Sequence, residues 1–82
     1  MNFAVIFSYS YDDDMAVYTF ETEEEAVSFL RDSYEEEIRI DVEENGYKVN
    51  AKIRQDGWRA SITDCFEDHK NTTFFAIAPI YQ

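Results

Sequence analysis

The chain has 82 residues, with eighteen Asp and Glu against seven Lys and Arg, a formal net charge of −11, and 45% hydrophobic and 17% aromatic residues. Disordered acidic chains lack such aromatic content, so one packed domain spanning residues 1–82 is expected. No apolar run approaches the ~20 residues of a membrane-spanning helix. The single cysteine, Cys65, excludes an internal disulfide, and no basic stretch leads into an apolar one as in a secretory signal, so a cytoplasmic location is expected.

Phe3 to Tyr9 has apolar residues on both faces, as in a central strand. Asp12-Asp13-Asp14 interrupts it, and Met15 to Phe20 resumes as a second strand, giving an antiparallel hairpin with a long acidic loop. Thr22-Glu23-Glu24-Glu25 forms a capping box. In it the Thr22 hydroxyl accepts from the Glu25 N–H, and three glutamates complement the positive end of the helix dipole. Ala26, Val27, Leu30 and Tyr34 follow at helical spacing.

The end of that helix admits two readings. Ile38 and Val42 extend the stripe as far as Asn45-Gly46, a C-terminal cap. Alternatively, Ile38, Ile40 and Val42 alternate with Arg39, Asp41 and Glu43 as a strand, and Asn45-Gly46 becomes a two-residue hairpin turn. That register pairs Val42 with Val49, Ile40 with Ala51 and Ile38 with Ile53, and sets Glu43 beside Lys48 and Glu37 beside Arg54. The long helix instead puts Glu37 and Asp41 on its buried stripe, so the hairpin is favoured.

Asp56-Gly57 is a second turn, joining a strand over residues 47–54 to one over residues 58–63. A polar loop covers residues 64–71, and Thr72 to Ile80 forms a last strand with two apolar faces, again central; Pro79 sits near its end, where a missing N–H does least harm. The sum is an α+β domain: an antiparallel sheet of about five strands with one helix packed on a face.

Few residues suggest chemistry. Asp12 to Asp14 lack the alternating ligand spacing of a calcium loop. Cys65 and His69 are one thiol and one imidazole, whereas a structural zinc site takes four ligands and a thiolate nucleophile needs an orienting group and an oxyanion hole. Glu23–Glu25 and Glu35–Glu37 are charge runs without the burial that makes an acid–base pair, and the two glycines sit in turns rather than in a phosphate-binding loop. Neither an enzyme nor a metal or other cofactor is expected. Lys48, Lys52 and Arg54 with Arg59 and Trp58 form a basic strand face, which the expected pairing with Glu43 and Glu37 makes a salt-bridged surface rather than a nucleic-acid site.

The acids are polarised. Residues 1–46 hold fourteen Asp and Glu with only Arg31 and Arg39, whereas residues 47–82 hold four acids and five bases. Asp12, Asp13, Asp14, Glu21, Glu23, Glu24, Glu25, Asp32, Glu35 and Glu36 therefore form the candidate partner-binding surface. A net charge far above the roughly 2–8 that keeps a small domain soluble carries a cost in self-repulsion. The simplest use of such a surface is to occupy a basic groove that otherwise holds DNA or RNA. The expected partner is thus a basic nucleic-acid-binding protein, with no direct binding of nucleic acid or membrane, and Tyr11, Tyr34 or Phe29 as aromatic anchors. The alternative is a homodimeric structural or regulatory module that binds a neutral partner, suggested by the aromatic surplus; monomer and homodimer both stay open.

The segments Asp12-Asp13-Asp14, Ala16-Val17-Tyr18, Glu23-Glu24-Glu25-Ala26, Phe29-Leu30, Ser33-Tyr34-Glu35-Glu36-Glu37, Arg39-Ile40-Asp41 and Glu43-Glu44-Asn45-Gly46 resemble small acidic proteins of Firmicutes phages and conjugative elements. That setting includes anti-CRISPR proteins and antirestriction DNA mimics. The resemblance implies an inhibitor of host defence, with a CRISPR effector or a similar protein as partner.

Overall fold

The computed structural model describes residues 1–81. The elements are β1 (Asn2–Tyr9), β2 (Asp12–Phe20), α1 (Glu23–Arg39) with a π-helical extension (Ile40–Glu44), β3 (Lys48–Ile53), β4 (Arg59–Phe66) and β5 (His69–Ile80). All strand pairs are antiparallel and the order across the sheet is β2-β1-β5-β4-β3. The domain is α+β, with α1 laid on one face, chiefly over β1 and β5. Those two strands are the ones whose apolar residues fall on both faces in the sequence.

Alternation on the covered face supplies the core. Val5, Ile62, Phe75 and Ile77 point up from β1, β4 and β5, and Ala26 and Leu30 come down from α1 with no exposed area. Ala26 lets the helix approach closely and Leu30 fills the gap beside it. An aromatic cluster fastens the same helix to the β1–β2 side: Phe29 stacks on Phe7 with centroids 5.8 Å apart and lies 5.0 Å from both Tyr18 and Phe20.

The favoured hairpin over residues 37–54 does not form. Residues 23–44 are helical throughout, the Asn45 N–H donates to the Ile40 carbonyl at 3.0 Å, and Gly46, at φ +68°, turns the chain out. The reason is topological. The chain leaves β2 at one edge of the sheet and must enter β3 at the other, four strand spacings or about 19 Å away. A helix of this length makes that crossing while covering the core, at ~1.5 Å per residue. Among the described residues Val49, Ala51 and Ile53, the partners expected for Val42, Ile40 and Ile38, pair with β4 instead, and β3 pairs with no other strand.

Two loops are also shorter than expected. The β1–β2 turn is Ser10-Tyr11, and Asp12 to Asp14 belong to β2: Ser8 faces Met15 and Tyr9 faces Asp12, leaving Asp13 and Asp14 as a bulge. The Asp14 N–H donates to Asp12 Oδ1 at 3.0 Å, holding that bulge. The polar stretch 64–71 is mostly paired strand, with Glu67-Asp68 as its turn between Phe66 and His69 and Glu67 at φ +55°.

The Asp56-Gly57 turn is where the sequence places it. Asp56 accepts from the Trp58 N–H and pairs with Arg54, which holds its carboxyl well below the usual range, at about 2, and the Trp58 indole donates to Glu23 Oε1 at 2.9 Å. Gly57, at φ +78°, lies under the helix, where an added Cβ would come 2.9 Å from Val27 Cγ1; around Gly46 there is open space.

Gly57→Ala is therefore expected to cost about 1–3 kcal/mol and more than Gly46→Ala, which meets only the conformational penalty. Leu30→Ala is expected to cost about 2–5 kcal/mol, a large share of the roughly 5–15 kcal/mol of a typical domain. Urea denaturation of the three variants measures both effects.

Candidate functional site

All ten candidate residues are exposed, and the helix sorts them. At 3.6 residues per turn, Glu24, Glu25, Asp32, Glu35 and Glu36 fall within about 120° of the helix circumference, centred opposite Ala26 and Leu30. Glu23 lies outside this arc, on the flank that meets Trp58. The residues differ in what already holds them. Glu25 closes the capping box, accepting from the Thr22 hydroxyl at 2.9 Å while its N–H donates to Thr22 Oγ1. Glu36 accepts from Arg39 Nε at 3.1 Å, and Arg39 also reaches Glu43 and Glu44 at 3.7 Å. Among the described residues, the side chains of Asp13, Asp14, Glu21, Glu24, Asp32 and Glu35 make no ion pair or hydrogen bond.

Two depressions connect this arc to the sheet. Glu24, Glu25, Ser28 and Asp32 border a shallow one floored by Phe20 and Phe29. Towards the other end of the helix, Ser33, Glu36 and Glu37 face Asp12 across a cleft of about 580 Å³ walled by Tyr9, Tyr11 and Tyr18. The fold thus brings Asp12 to the helix, whereas Asp13 and Asp14 stand at the β2 edge. Of the three expected anchors only Tyr11, 60% exposed, is placed to meet a partner. Phe29 belongs to the aromatic cluster, and Tyr34 packs edge-on against Phe75 at 6.1 Å. Much of the aromatic surplus is thereby spent between the layers.

Sequence reasoning missed a group of carboxylates beneath the helix end: Glu37, Asp41 and, from β4, Asp64. Asp41 is 4% exposed and its Oδ2 has no partner among the described residues. Burial, reinforced by the charges of Glu37 and Asp64, pushes its carboxyl up to about 6, and burial followed by Asp64 raises Glu37 as well. The signal was present in the sequence as the conflict over placing Glu37 and Asp41 on a buried helical stripe.

The remaining candidates separate. Cys65 pairs with Lys70 in the β4–β5 ladder and faces away from the helix, while His69 pairs with Phe66 on the opposite face. Among the described residues, no three His, Cys, Asp or Glu side chains are grouped so as to hold a metal ion. The anions expected beside Lys48 and Arg54 are on the helix instead, so the basic face is not salt-bridged by Glu43 and Glu37. Trp58 is turned to the other side of the sheet, edge-on to Phe3. No protein-family model, curated protein or solved structure matches the chain.

Because the folded-state pKa of Asp41 lies above its unfolded value of 3.8, the native state binds more protons between the two. Its contribution to stability is therefore lost as pH rises from about 4 through about 6. Asp41→Asn is expected to stabilise the domain at about pH 7.5, by on the order of 2 kcal/mol, and to do so far less at about pH 4. Thermal melts of both proteins across that range measure the difference; an equal effect at both ends would remove the electrostatic explanation.

Proposed function

We propose that this protein is a non-catalytic binding module whose acidic helical face docks on a basic protein surface that otherwise holds nucleic acid. One observation carries the reading: the charges are segregated between layers. The five bases of residues 47–82 all stand on the sheet face away from the helix, and on α1 itself Arg39 pairs with Glu36, so among the described residues Glu24, Asp32 and Glu35 are left without an ion pair. Glu24, Asp32 and Glu35 span about 16 Å along the helix and hold no structural contact that binding would have to break. Such a row of carboxylates can stand where phosphates stand, and it steers encounter with a cationic surface. Tyr11, beside the Asp12–Glu36 cleft, supplies the apolar anchor that rim charges lack. The resemblance to small acidic mobile-element proteins narrows the partner to nucleic-acid-binding proteins of bacterial defence, CRISPR effectors among them. Among the described residues no helix is long and apolar enough to cross a membrane, in keeping with a protein partner.

Capture of a basic protein from host lysate by the tagged chain identifies the target, and the triple variant Glu24→Lys/Asp32→Lys/Glu35→Lys tests the surface. The expected result is affinity lower by at least about 100-fold, mostly through slower association, and wild-type binding that weakens between about 0.1 M and about 0.5 M salt. Unchanged affinity of the folded triple variant would overturn the reading.

A further inference from the structure

The cleft between the end of α1 and the β1–β2 turn holds about 580 Å³, a volume that suits a small ligand or a single large side chain. Its lining is of two kinds, aromatic and acidic. Tyr9 and Tyr11 form one wall, their ring centroids 5.4 Å apart, and Tyr18 stands beside them on β2. Asp12 and Glu37 supply carboxylates from opposite sides, and among the described residues no Lys, Arg or His lines the cleft. We propose that it receives one arginine side chain, and that this arginine belongs to the basic protein on which the acidic arc docks.

The charge around the cleft calls for a cation. Burial, followed by the neighbouring acidic groups Tyr9, Glu37, Asp64 and Asp12, raises the Tyr11 phenol, so the field at the mouth is negative. Arg39 does not relieve it: that side chain is engaged by Glu36, Glu43 and Glu44, and among the described residues Glu37 has no ion pair or hydrogen bond. Thr73 adds an independent sign of a ligand. It is 8% exposed, lies on the helix side of the sheet opposite Tyr9, and lines the cleft, yet among the described residues its hydroxyl makes no hydrogen bond. A hydroxyl left unpaired at this depth has an acceptor lone pair to offer a ligand N–H.

Aromatic walls select among cations. A guanidinium is planar and weakly hydrated, stacks on tyrosine faces, and carries five donors, enough for both carboxylates and the Thr73 hydroxyl. An ammonium is a compact, strongly hydrated charge and gains less from the rings. A metal ion fits worse, since among the described residues no three His, Cys, Asp or Glu side chains are grouped to hold one. Position supplies the source. Glu36 belongs both to the acidic arc and to the lining of the cleft, so an arginine projecting from a cationic surface docked on the arc enters at that end. The inference deepens the proposed function and rests on it for the origin of the arginine; the preference for a guanidinium stands without it.

The probe is N-acetyl-arginine amide, added to the isotope-labelled whole chain at about 0.15 M salt, where loose attraction to the arc is largely screened. Saturable NMR amide shifts confined to residues 9–12 and 33–37 are expected, with affinity about fivefold lower in Tyr11→Ala and in Glu37→Gln. The uncharged N-acetyl-citrulline amide is expected to leave the spectrum unchanged. Once a target is captured, the same two variants are expected to weaken its binding by a similar factor. Because the probe needs no target, its failure is separable from a failure of the Glu24, Asp32 and Glu35 triple variant to lose affinity. No saturable shift, shifts spread evenly over residues 24–36, affinity indifferent to both substitutions, or equal binding of the citrulline or lysine amide would overturn the proposal. Spermidine bound more tightly than the arginine amide, or target binding unchanged in both variants, would overturn the assignment to a protein arginine.

Discussion

Everything in this domain depends on one helix covering one face of the sheet while carrying the chain from edge to edge. β5 is last in the chain yet lies at the centre, between β1 and β4, so β2 and β3 become opposite edges and the segment between them has to cross the core. Ala26 and Leu30 meet Val5, Ile62, Phe75 and Ile77 during that crossing. An 82-residue chain has a small core, and a single layer of contacts of this kind carries a large part of its stability.

The charge pattern follows from that constraint. A helix with one buried stripe turns the opposite arc to water, and in this chain that arc carries Glu24, Glu25, Asp32, Glu35 and Glu36 around Ser28 and Arg39. The five bases of residues 47–82 sit on or next to strands at positions that alternate away from the core, and so face the other way, whereas Arg31 and Arg39 lie on the helix itself. Composition alone supplies a net charge of −11; the fold converts it into an acidic layer backed by a sheet whose free face is half apolar and half cationic. Carboxylates also collect where the helix ends, and Asp41 shows the cost, since its burial keeps a proton on the native state up to about pH 6.

Local patterns made much of this legible. The Thr22–Glu25 capping box, the Ala26–Leu30 stripe, the two-faced strands β1 and β5 and the Asp56-Gly57 turn are each fixed by neighbouring residues, and each is where the sequence puts it. The end of the helix was not legible, because Ile38-Arg39-Ile40-Asp41-Val42 satisfies a period of two as well as the helical one. What decides it is the distance from β2 to β3, which depends on β5 and lies outside any local window. The Asp13–Asp14 bulge and the Glu67-Asp68 turn were hidden for a related reason: polar residues in a paired strand look like loop until the partner strand is known. The acidic face was readable as a set of residues, but its division into a free arc, a cap, an ion pair and a contact to Trp58 required the helix phase.

Under the proposed function, the acidic face and nucleic acid compete for one surface on the target. Fluorescence anisotropy of a labelled oligonucleotide bound to that target, titrated with this protein, tests it most directly. Competition for that surface predicts stoichiometric release of the oligonucleotide at low salt, and diminishing release as salt rises. An oligonucleotide that stays bound while the protein saturates the target would contradict it.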